Sequence, residues 1–246
     1  MRFATANIPA GGFDSYRDTM SAAPDQLARI QELVRRAKAD TVVLCNMFLW
    51  EQISPQHLRD TFHDWNDLEG LDFSHLFVTG LGPRATDESR LDLAVLSRHG
   101  SSTRAVRIYD RNCTRTTVYP GDGRQIIVYG VYLDLVNDHV RLQEVEWLVV
   151  DAQLYPDDEV WIIGNLNLPS SGPLSQVMPT LIQAGFRSIC AGVETNPMRD
   201  IHAAPGSGPM LKSQILVRNP GKGRIDPGTI HDNGRPDYML TYADLR

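Results

Sequence analysis

A chain of 246 residues, 42% apolar and 22% charged, is long enough to bury a sizeable core without disulfide or metal staples. Its net charge of −6 argues against nucleic acid as a partner, because duplex binding relies on a basic face. No stretch approaches the roughly 18 apolar residues that cross a bilayer, so no membrane role is expected.

Taken in order, Arg2 to Ile8 alternates as a half-buried strand. Pro24 and Asp25 open a helix with Leu27, Ile30, Leu33, Val34 and Ala37 on one face; proline suits a first turn, where its missing N–H has no partner to lose. Thr41 to Cys45 is a short apolar run, as in a strand covered on both faces. A helix is expected over Pro55 to Trp65, and Asp67 to Ser89, with Gly80, Gly82 and Pro83, reads as loop with short strand-like pieces. Leu91 to Ser97 and Ala105 to Tyr109 read as strands, and a further pair flanks the turn Pro120 to Gly123, with Gln125 to Leu135 its longer member. A helix from Asn137 to Leu154, a strand from Glu159 to Ile163 ending at Gly164, and a helix from Pro173 to Ala184 follow. The remainder is rich in Pro and Gly and closes with a strand over Tyr238 to Thr241. Hairpins in the middle of the chain argue for mixed sheets within one domain, residues 1–246.

Cys45, Cys113 and Cys190 are odd in number and far apart, the usage of a reducing, cytoplasmic setting; Cys45 reads as a buried small hydrophobe. The first residues turn polar too soon for a signal peptide. None of the seven histidines forms an HxH or HxxxH pair, so a zinc site is not expected. Gly206-Ser207-Gly208-Pro209 lacks the Lys and following helix of a phosphate-cradling loop.

Several segments, in order, carry a resemblance. Arg2 to Ile8 contains a strand with Asn7 near its end; Ala39 to Asn46 is similar to a strand that ends in Gln-Glu. Leu93-Ala94-Val95-Leu96-Ser97-Arg98, Arg141-Leu142-Gln143, Gly164-Asn165-Leu166-Asn167 and Pro236-Asp237-Tyr238-Met239-Leu240 follow at matching spacing. Together they resemble the endonuclease/exonuclease/phosphatase (deoxyribonuclease-I-like) superfamily across nearly the whole chain. The resemblance implies an α/β (α+β) fold, a four-layer α/β/β/α sandwich of two mixed sheets flanked by helices. It also implies a site where carboxylates, amides and histidines hold Mg²⁺ and activate water against a phosphate ester.

The site departs from that pattern. Asn46 stands for the expected Glu, Asn165 for the Asp of Gly-Asp-x-Asn, and Tyr132 for a His, while no closing Ser-Asp-His is found; Asn7, Asn167 and Asp237 match. An amide cannot serve as a general base near neutral pH, and a placed base supplies about 10²–10⁴-fold. Tyr132, Asp237 and Asn165 are therefore the expected catalytic groups, and Asn7, Asn46, Asn167, Arg115 and Asp134 the binding groups, with no resident metal or other cofactor. Six of these have a plainer reading: strand-end turn residues for Asn46, Asn165 and Asn167, an amphipathic strand residue for Tyr132, a pin for its neighbours in Asp237, a solvated side chain for Arg115. Glu51, Asp134 and His139 are candidates for a displaced catalytic group.

The expected function is a metal-independent enzyme acting on a small organic molecule, with oligomeric state open. Usage rich in Arg, Ala and Asp and poor in Lys is that of a high-GC bacterium, which suggests natural-product biosynthesis. The alternatives are a divergent Mg²⁺-dependent phosphodiesterase and a pseudoenzyme that binds a protein partner.

Overall fold

The alternation at the start of the chain forms strand β1 (Arg2–Asn7), which runs parallel to β2 (Thr41–Cys45) with Asn7 opposite Cys45. This is a computed structural model that describes residues 1–7, 24–45, 73–80, 92–134, 137–169, 175–189, 210–232 and 235–246. With β3 (His75–Gly80), β4 (Asp92–Ser97), β11 (Ile225–Asp232) and β12 (Arg235–Leu245), these strands build a mixed sheet in the order β11-β12-β1-β2-β4-β3. Helix α1 (Pro24–Ala37) lies against β11 and β12 and buries Leu33, Val34 and Ala37, the inward residues of its 3.6-residue periodicity.

A second mixed sheet comprises β5 (Ser101–Ile108), β6 (Arg111–Val118), β7 (Ile126–Tyr132), β8 (Glu159–Pro169), β9 (Arg187–Ser188) and β10 (Met210–Arg218). Their order is β5-β6-β7-β8-β10-β9, with β7 and β8 parallel. Helices α2 (Asp138–Ala152) and α3 (Val177–Gln183) cover its outer face over Tyr129, Val131, Ile162 and Leu166. Alternation along each strand sends the other residues toward the first sheet. There the Phe3 ring lies 4.6 Å from Trp161, and a side chain at Gly130 would meet Val43 and Thr114. The layers are thus helix, sheet, sheet, helices, the α/β sandwich that the motifs imply.

Most local expectations meet their elements, and the differences have physical causes. Glu159–Pro169 continues as strand through Gly164, which absorbs an irregular φ of +142° without ending the ladder. His75–Gly80 forms a strand inside a segment read as loop, because pairing with β4 outweighs the neighbouring glycines. The Pro/Gly-rich remainder contains three strands that local pattern hid, β9, β10 and β11. In β11 the turn-like pair Pro227-Gly228 is tolerated because β11 is an edge strand, and a Cβ on Gly228 would lie 2.3 Å from the Tyr242 ring. The last strand is Arg235–Leu245, longer than Tyr238 to Thr241, since it pairs with both β1 and β11. The last helix is shorter than read, Val177–Gln183, and the helix expected over Pro55 to Trp65 lies outside the described residues. No described helix is long and apolar enough to cross a membrane.

Candidate functional site

Parallel pairing brings the ends of β1, β2 and β7 together with the middle of β8. Asn7 closes β1 beside Cys45 at the end of β2, and Tyr132 closes β7 opposite Asn165 in β8. The two sheets meet here through Cys45, whose thiol donates to the Val131 carbonyl at 3.4 Å. Burial pushes that thiol up to about 12, so it stays protonated and acts as the small hydrophobe expected of it.

Gly164 sets the local geometry of β8. A Cβ at this position would lie 2.1 Å from the Val131 carbonyl oxygen, so no side chain fits where β8 presses on β7. Beyond it the chain folds into a knuckle. Asn165 Oδ1 accepts from the Asn167 N–H at 3.0 Å, and Asn167 Nδ2 donates to the Leu133 carbonyl at 2.7 Å. Asn167 adopts φ +49°, a conformation Asn tolerates better than most residues. These partners also fix how each amide points. Asn165 has used its oxygen and Asn167 its nitrogen. Among the described residues, the Asn165 Nδ2, the Asn167 Oδ1 and the Asn7 Oδ1 are buried without a hydrogen-bond partner. Each of the three side chains is at least nine-tenths buried.

Tyr132 is buried at the same strand end and packs into the core between the sheets. The backbone of Asp237 lies in β12 three residues before Leu240, the partner of Ala6, which places it at the end of the sheet where Asn7 sits. Asn46 lies outside the described residues, as does Glu51.

Two expected binding groups are not brought to this site. Arg115 faces outward from β6 beneath α2, where it pairs with Asp151 at 2.5 Å. The Tyr129 hydroxyl donates to the same carboxylate at 2.6 Å, and the Arg115 guanidinium stacks on Tyr155. Arg115 is neither a substrate contact nor a solvated side chain: strand alternation puts it on the helix-covered face with Cys113, and burial demands a counter-ion. Asp134 is likewise committed, its Oδ2 accepting from Arg111 at 3.0 Å and its Oδ1 from the Asn137 N–H at 2.6 Å. His139 is exposed on the first turn of α2.

The cluster around Asp134 was not anticipated. Arg111 is fully enclosed, with its Nε 3.0 Å from Glu144 Oε1, and Glu144 Oε2 accepts from the Asp134 N–H at 2.8 Å. One guanidinium thus serves two buried carboxylates. Burial, opposed by Arg111, pushes the Glu144 carboxyl up to about 8. Among the described residues, no three His, Cys, Asp or Glu side chains gather as metal ligands.

No protein-family model matches the chain, and no curated protein does. Solved structures do match. A conserved protein of unknown function from Enterococcus faecalis V583 superposes with a TM-score of 0.67 at 14% identity, covering 100% of this chain and 99% of that one. An endonuclease/exonuclease/phosphatase family protein from Leptotrichia buccalis gives 0.64 at 12% identity with the same coverage. An AP endonuclease from Archaeoglobus fulgidus gives 0.65 at 13% identity, again over 100% and 99%. At these identities the likeness is one of fold, and chemistry has to be argued from the side chains.

Proposed function

We propose that this chain, whose fold is that of the endonuclease/exonuclease/phosphatase superfamily, binds a small organic molecule at the converging strand ends and acts on it without a divalent metal. One observation carries the reading. The Asn165 side chain has spent its oxygen on the Asn167 N–H, so the group left over is an amide N–H₂. Mg²⁺ demands oxygen lone pairs, usually anionic ones, and the positive end of an amide dipole repels it. Among the described side chains Asp134 is held by Arg111, the Cys45 thiol is protonated and faces a carbonyl, and the unpaired Oδ1 atoms of Asn7 and Asn167 carry no charge. The described residues do not fit the metal that the fold's enzymes imply, and no step is routed through one.

Tyr132 and Asp237 are the groups assigned to move protons in this reading, with Asn7, Asn165 and Asn167 binding the molecule. A phenol donates or accepts a proton once its partner is positioned, and a carboxylate is the complementary base. Natural-product chemistry in a bacterium is the setting that residue usage supports.

The test is calorimetric titration of the purified protein with Mg²⁺ and Mn²⁺, alongside hydrolysis of bis(p-nitrophenyl) phosphate with and without EDTA. The expected result is no saturable heat and no EDTA-sensitive hydrolysis. Millimolar or tighter binding of either ion, together with metal-dependent hydrolysis, would overturn the proposal and favour a divergent phosphodiesterase.

A further inference from the structure

Resting on that reading, we infer that the molecule is recognised through a carboxamide-type group, a carbonyl with an adjacent N–H, as in a lactam, a primary amide or a cyclic urea. The argument comes from which atoms are left unpaired. Asn165 Nδ2 is a donor, and Asn167 Oδ1 and Asn7 Oδ1 are acceptors; all three are buried and, among the described residues, lack hydrogen-bond partners. The labels on two of them follow from their bonds. Asn165 offers nitrogen because its oxygen holds the Asn167 N–H, and Asn167 offers oxygen because its nitrogen holds the Leu133 carbonyl. The third, Asn7, sits beside Cys45, whose thiol contacts the β7 end next to this knuckle.

Buried donors and acceptors left unmatched are costly, so the favoured ligand pairs all of them. Each ligand charge type leaves something wrong. A carboxylate or phosphate would satisfy Asn165 Nδ2 but would face two carbonyl oxygens. An ammonium group or a metal ion would suit those oxygens but would meet the N–H₂. A ketone or ester supplies the acceptor alone. A lactam supplies a carbonyl oxygen for Asn165 and one N–H for the Asn167 oxygen, a primary amide or cyclic urea adds a second N–H for Asn7, and none of them brings a net charge to desolvate. The selectivity rests on the N–H, because a site built to bond an N–H discriminates sharply against an analogue that lacks it.

The experiment uses the isosteric pair 2-pyrrolidone and γ-butyrolactone, with 2-imidazolidinone, sodium phosphate and MgCl₂ as further probes. Uniformly ¹⁵N-labelled protein is titrated, and the side-chain amide resonances of Asn165 and Asn167 are followed by two-dimensional ¹H–¹⁵N NMR. The lactam and the cyclic urea are expected to shift these signals saturably. The lactone should bind about tenfold more weakly or worse, and phosphate and Mg²⁺ should leave the signals in place. In Asn165→Asp, whose folding is checked by the remaining backbone signals, the lactam response is expected to disappear. Equal affinity for lactone and lactam would overturn the carboxamide assignment while leaving the metal-free small-molecule reading intact. A saturable response to Mg²⁺ would overturn both. No response to lactam or cyclic urea would also overturn the assignment.

Discussion

Asn165 shows how one atom decides what a site accepts. Asp and Asn have the same shape, and either would accept the Asn167 N–H through one oxygen; they differ in the second atom, which is an anionic oxygen in one and an N–H₂ in the other. On the proposed reading, Asn165→Asp is therefore expected to create cation affinity. The variant's melting temperature should rise by roughly 2–4 °C when millimolar Mg²⁺ is added, while the parent stays unchanged. Equal responses from the two proteins would show that Asn165 does not govern ion binding. The neighbouring glycine is just as constrained. A Cβ at Gly164 would lie 2.1 Å from the Val131 carbonyl oxygen, so Gly164→Ala should destabilise by about 2–4 kcal/mol in urea denaturation. The positions of Asn7 and Tyr132 at strand ends, and of Asn165 and Asn167 together after Gly164, were legible in the sequence through motif order. Which amide atom stays free was not, since that depends on a backbone N–H two residues away and a carbonyl from another strand. Arg115 and Asp134 illustrate the same limit. The face of Arg115 follows from pleat parity, but its partner Asp151 comes from a helix distant in sequence, and the partner of Asp134 is Arg111 at the start of β6.

At the scale of elements, α2 is the piece that fixes the outer face of the second sheet. Its start is capped by Asn137, whose Oδ1 accepts from the His139 and Val140 N–H groups, and Asp138 lies in the first turn, where the helix dipole favours an anion. Its far end is fastened by Asp151, which takes hydrogen bonds from Arg115 and Tyr129 on adjacent strands. Asp151→Asn keeps the shape but strands a nearly buried guanidinium. The expected loss is about 3 kcal/mol in chemical denaturation, with Arg115→Leu in the same background recovering part of it. A loss under about 0.5 kcal/mol would mean that the pair is solvated. Helix α2 was readable beforehand as an uninterrupted stretch from Asn137, although its buried face mixes Val145, Leu148 and Ala152 with Arg141 and Glu144, and β1, β2 and α1 were readable too. Strands β10 and β11 were not. Their signal lies in pairing: Ile215 to Val217 align with Trp161 to Ile163, and Pro227 survives only because its strand has a free edge. Tertiary partners supply what local composition conceals.

For the molecule as a whole, the charge cluster under α2 couples stability to pH. Arg111, Asp134 and Glu144 lie within a few ångströms of one another between the second sheet and α2, with Asp110 adding negative charge. A lone guanidinium cannot compensate two buried carboxylates fully, and burial pushes Glu144 from 4.5 up to about 8. Across that interval the folded protein holds a proton that the unfolded chain has released. Stability from this group is therefore complete below pH 4.5, declines as pH rises, and is lost above about 8. The steepest decline for one proton is about 1.4 kcal/mol per pH unit, or roughly 3–5 °C of melting temperature for a chain of this size. Glu144→Gln removes the titration while leaving an amide oxygen to accept the Asp134 N–H, so its melting curve should be flatter over this interval and cross that of the parent. Thermal unfolding followed by circular dichroism in buffers from about pH 5 to 8.5 measures the difference, which cancels the contributions of all other groups. Parallel curves, with the variant less stable throughout, would mean that Glu144 is ionised in the folded protein and that Arg111 suffices for both carboxylates.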